Sequence, residues 1–134
     1  MNKTEAAKLL ALIKVAYPST YKDMDEKTKI ATVNMWQSTF ANVPYAIMEM
    51  AFDHFRRVSK FAPTIADMYE ELKSLHFHAL QELMTTDDEA VKEISNRILQ
   101  HTSRYRYGDD GAFNIASHLP KLEMLSERID DNGG

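Results

Sequence analysis

Lys60-Phe61-Ala62-Pro63-Thr64-Ile65-Ala66-Asp67 is the stretch that decides the fold. Pro63 biases Ala62 away from helical backbone angles, so any helix arriving from upstream must end by that point. Thr64 is a good N-cap, and Asp67 stands three residues later, where the positive end of a helix dipole favours a carboxylate. Asp67 is a shorter stand-in for the Glu of a capping box. The segment therefore reads as a corner between two helices.

Working outward from that corner, apolar residues recur at helical spacing on both sides. Downstream, Ile65, Met68, Tyr69, Leu72, Leu75, Ala79 and Leu83 share one face, which predicts a helix from Ile65 to about Met84. Upstream, Ile47, Met48, Ala51, Phe52, Phe55 and Val58 form a broad stripe on a helix begun near Pro44, a residue tolerated in a first turn. A helix from about Asp25 carries Ala31, Val33, Trp36 and Phe40, with Asn42 suited to its end. The first helix spans about Thr4 to Tyr17 and is stopped by Pro18 and Ser19. A fifth, from Asp87 to about His101, has a narrow stripe of Val91, Ile94 and Ile98 behind an acidic first turn.

No alternating strand pattern occurs, so the fold class is all-α: a small helical bundle with a fifth helix and a flexible C-terminal tail. The expected division is residues 1–84 as the bundle and 85–134 as an acidic helical extension and mobile tail. Within the first part, the opening 72 residues suffice for a three- to four-helix core. Past Lys73 the fourth helix extends beyond that core or meets the fifth. Trp36, Phe40, Phe52, Phe55 and Met68 are the expected core. All four glycines lie at Gly108 or later, and Asp109-Asp110-Gly111 is a turn signal.

Composition removes several functions. A length of 134 residues with 44% hydrophobic content allows one modest core. There is no cysteine, hence no disulfide scaffold and no thiolate metal site. Phosphate-binding loops need clustered glycines, and none precedes residue 108, so a P-loop ATPase is excluded. His76 and His78 are two apart, which points them in different directions on a helix, and His54, His101 and His118 are isolated. No metal site and no cofactor are expected. Neither Asp23, Asp25 and Glu26 nor Glu70 and Glu71 suggest a cleft with facing carboxylates, and no nucleophile elbow occurs, so no catalytic residue is assigned. The run Leu9 to Ile13 is too short for a signal segment or a membrane span, and a cytoplasmic location is expected.

The net charge of −4 is uneven: residues 1–84 hold ten basic and ten acidic residues, residues 85–134 six and ten. The pI near 5.7 argues against a protein whose main task is gripping duplex DNA. Arg104-Tyr105-Arg106-Tyr107 alternates cation and aromatic, and Arg104 and Arg106 are candidate nucleic-acid contacts. The competing reading packs both tyrosines on the bundle.

Several of these segments together resemble the phage replicative-helicase loader/inhibitor family. They are Leu9-Leu10-Ala11-Leu12-Ile13-Lys14 with Ala16-Tyr17-Pro18, Tyr21-Lys22-Asp23-Met24, Trp36 with Phe40, the Ala51/Phe55 stripe, and Ser59 to Asp67. The resemblance covers residues 3–72 and departs at Ala62, where the family pattern implies a second proline. It implies a small helical module that binds a hexameric replicative helicase, holds it inactive and passes it to an origin-binding protein. Without a nucleotide site, such a chain would work by binding alone. Leu119, Leu122, Leu125 and Ile129, spaced three to four apart so that a helix begun near Pro120 would place them along one face, are the expected partner-binding anchors. A refolded sixth helix of the core is the competing reading of those leucines. The competing function is a small helical DNA-binding replication or regulatory protein, with the corner at residues 60–67 as a helix–turn–helix.

Overall fold

The computed structural model describes residues 1–106. It holds five helices: α1 (Lys3–Ala16), α2 (Glu26–Thr39), α3 (Tyr45–Val58), α4 (Ile65–Thr85) and α5 (Glu89–Thr102), followed by a 3-10 turn at Ser103–Tyr105. Each expected helix is present, with ends shifted by a few residues at most. No strand occurs among the described residues. The chain divides into two compact units, Met1–Glu71 and Leu72–Gly134, and α4 runs through the division.

The corner forms as its residues dictate. The Ser59 N–H closes α3 by donating to Phe55 O at 3.1 Å, and Ser59 turns extended. Pro63 is buried. The Thr64 N–H then donates to Asp67 Oδ2 at 2.9 Å while the Asp67 N–H donates to Thr64 Oγ1 at 3.1 Å. Asp thus completes the reciprocal pair of a capping box despite its shorter side chain. A full capping box that the sequence reading passed over opens α1, where Asn2 and Glu5 exchange bonds of 2.8 and 2.9 Å. At α2, Asp25 Oδ1 accepts from the Thr28 N–H at 2.8 Å.

In the first unit the core is built from Ala6, Leu9, Leu10 and Ile13 of α1, Trp36 and Phe40, and Ile47, Met48, Ala51, Phe52 and Phe55 of α3, with Val43 and Met68. All five expected core residues are buried. Trp36, Phe40 and Tyr69 form an aromatic ladder with centroids 5.9 and 5.8 Å apart. Such tilted pairs add to the energy of burial. The Met1 ammonium donates to the carbonyls of Phe40, Ala41 and Val43 at 3.3, 3.0 and 2.7 Å. Its positive charge stands at the negative end of α2.

Helix α2 departs from its expected pattern. Trp36 is its one buried residue, while Ala31, Ile30 and Met35 are exposed. Ala31 is five residues before Trp36, which at 100° per residue puts it well away from the inward line.

In the second unit, Leu72, His76 and Ala79 are the buried line of α4, and Ser95, Ile98 and Thr102 that of α5. The stripe read for the fifth helix is rotated: Ile94 is exposed and Val91 half-buried. His76 is 8% exposed. The side chains at 76 and 102 are joined by a bond of 2.9 Å between His76 Nδ1 and Thr102 Oγ1. Thr102 already donates its hydroxyl proton to Ile98 O at 2.6 Å. The threonine oxygen must therefore accept, which fixes the neutral imidazole proton on Nδ1.

Candidate functional site

The anchors expected from sequence, Leu119, Leu122, Leu125 and Ile129, lie outside the described residues, as does Tyr107. Arg104 is exposed in the 3-10 turn, and Arg106 is half-buried. Tyr105, between them, is 1% exposed. Its ring is therefore part of the second unit's core and cannot stack on a base. Of the two tyrosines that motivated Arg104 and Arg106 as nucleic-acid contacts, Tyr105 is thus no stacking platform, and Tyr107 lies outside the described residues. Arg106 acts instead on His76: burial first, and the Arg106 charge second, hold the imidazole pKa below its usual value.

A groove between α1 and α2, absent from the sequence reading, lies on the surface of the first unit. It measures about 410 Å³, within the range of binding pockets. One wall is Ala7, Leu10, Ala11 and Lys14, at helical spacing along α1. The other is Lys29, Thr32 and Val33 of α2, and the connection supplies Tyr21, Lys22 and Met24. Every charged residue of the lining is a lysine. Lys14 Nζ donates to Pro18 O at 3.0 Å, which steadies it at the groove's end.

Tyr21 holds φ 61°, the one left-handed non-glycine residue among the described residues. An aromatic residue is disfavoured there by contact between Cβ and the backbone, so the connection stores local strain. Burial pushes the Tyr21 phenol above its usual pKa. The signal available in sequence was the pair Ala7 and Ala11, one turn apart beside Leu10. Small residues at that spacing leave a trough where larger ones would fill it.

Two other surfaces surround the corner. Phe61 is 75% exposed, so the aromatic of that motif does not serve the core. His54, isolated in sequence, places Nδ1 2.8 Å from Glu71 Oε1 and ties α3 to the start of α4. Among the described residues, no group of three or more His, Cys, Asp or Glu is placed to hold a metal ion. No helix among them is long and apolar enough to cross a membrane.

Comparison with known proteins adds one positive result. The family model for the N-terminal domain of the phage gp39 protein matches residues 1–69. No curated protein and no solved structure matches the chain significantly. The matched span takes in α1, α2, α3 and the capped start of α4, just over half of the chain and nearly all of the first unit. On that match the chain belongs to the gp39 N-terminal domain family, the phage helicase loader/inhibitor proteins.

Proposed function

We propose that this chain binds a hexameric replicative helicase, holds it inactive and delivers it to an origin complex through an origin-binding protein. The family match over residues 1–69 carries the reading. A loader of this kind acts in the host cytoplasm. Its action here would be by binding alone, since no glycine loop precedes residue 108 to cradle a nucleotide's phosphates.

The helicase contact is assigned to the segment after the 3-10 turn, with Leu119, Leu122, Leu125 and Ile129 as anchors. Four apolar residues at helical spacing suit a helix-in-groove contact, and the acidic balance of residues 85–134 suits a basic helicase surface. The test compares the full chain with a version ending at residue 107, so that the buried Tyr105 is kept. Both are assayed for pull-down of the helicase and for inhibition of its ATPase. The full chain is expected to bind and inhibit, and the shortened chain to do neither. If the shortened chain inhibits fully, the anchors are misassigned; if the full chain binds no replicative helicase, the function is wrong.

A further inference from the structure

We propose that the α1–α2 groove is a second docking surface, which receives an acidic amphipathic helix from a partner protein. The inference goes beyond the helicase reading.

The chemistry of the lining points to that occupant. Its apolar lining is Ala7, Leu10, Ala11, Met24 and Val33. Its charges are Lys14, Lys22 and Lys29, with no carboxylate in the lining to neutralise them. Neither Lys22 nor Lys29 forms an ion pair among the described residues. Ile30 is 55% exposed three residues before Val33, and it extends the apolar surface beyond the groove's lip. An apolar lining flanked by ammonium groups complements a helix with apolar anchors on one face and carboxylates on its flanks.

Dimensions favour a helix over a small ligand. From Ala7 to Lys14 the wall covers two turns of α1, about 10 Å at 1.5 Å per residue. That length matches two anchors one turn apart on an incoming helix. Ala7 and Ala11 have only a methyl group each, so the partner's anchors can come close to the α1 backbone. Lys14, held by Pro18, marks one end, and Lys22 and Lys29 flank the other wall. The strained Tyr21 connection sets the position of Lys22 next to it.

The experiment uses the full-length chain, labelled with ¹⁵N, and follows amide shifts as peptides are added. The probe is a helical 14-residue peptide of leucine anchors flanked by glutamates. Two controls replace its glutamates by lysines or its leucines by alanines. The expected result is saturable binding of the first peptide alone, with shifts centred on Ala7, Ala11, Met24, Thr32 and Val33. Lys22→Glu combined with Lys29→Glu should weaken binding by about tenfold or more, as charge reversal at a complementary interface does. Both lysines are exposed, so the variant should melt like the parent. A smaller probe of shape, Ala11→Glu, should abolish binding while the helix persists.

Absence of saturable binding overturns the proposal. So does equal binding of either control peptide, or a shift pattern centred elsewhere. A fourth overturning result comes from sedimentation of the free chain: if the lysine reversals change its oligomeric state, the groove is covered by a second copy and not by a partner.

Discussion

The Tyr17 hydroxyl donates to Ser59 O at 2.8 Å, joining the residue that ends α1 to the residue that ends α3. The tyrosine ring also stands edge-on to Phe52, with centroids 6.5 Å apart. Tyr17 and Ser59 belong to two of the segments that carried the family resemblance, forty-two positions apart, and they are bonded to each other. Tyr17→Phe keeps the ring contact and removes the bond, so it should cost about 1 kcal/mol. Tyr17→Ala should cost more, because the edge contact goes as well. Urea denaturation of the two variants measures the difference: an unchanged Tyr17→Phe would show that the hydroxyl contributes nothing, and equal losses that the ring contact does not.

Trp36 is 4% exposed and is the one buried residue within α2. Trp36→Ala should destabilise the chain by roughly 3–5 kcal/mol through lost burial and a partly unrelaxed cavity. A thermal melt indistinguishable from that of the parent would remove Trp36 from the core.

The reciprocal bonds of Thr64 and Asp67 predict a coupled pair. Each of Thr64→Ala and Asp67→Ala should cost about 1 kcal/mol, typical of a lost helix cap. The double variant should cost less than the sum, since each substitution already breaks part of the shared box. A double-mutant cycle with zero coupling energy would separate the two bonds.

His76 predicts a pH dependence of stability. Its pKa in the folded chain is lowered by burial and then by Arg106, so below the usual histidine value the unfolded chain binds the proton more readily. Stability is complete above about pH 6.5, the unfolded value, and is lost as pH falls from there toward the lowered folded value. Protonation would also set a charged imidazole near Arg106. His76→Gln should flatten this part of the profile. Denaturation midpoints of parent and variant between about pH 5 and 8 provide the check, and parallel profiles would exclude His76 as the source.

What could be read before folding was what depends on neighbours in the chain. The corner at Pro63–Asp67 is local chemistry, and so are the stripes that buried Phe52, Phe55 and Met68. The His54–Glu71 bond spans seventeen positions and has no local signature. His76 did have one: it continues the line of Leu72 and Ala79, and its pairing with His78 in sequence concealed that register. The groove was missed for another reason. Apolar periodicity reports which residues turn inward, whereas a trough arises where Ala7 and Ala11 fail to fill the space beside α2.

The single anchor of α2 has a dynamic consequence. With Trp36 as its one buried residue and Phe40 directly after it, the C-terminal half of the helix is tied to the core, whereas Glu26 to Ile30 rest on exposed positions and the Asp25 cap. Local opening begins where few apolar contacts oppose it, so amide hydrogen exchange should be faster at Ile30 and Ala31 than at Phe40 or anywhere along Leu9–Ile13. Opening of that kind would loosen the wall that carries Lys29 before the wall that stands on Leu10 and the buried line of α1. A surface with one fixed and one yielding side can accept anchors of different size while keeping the same register along its fixed side.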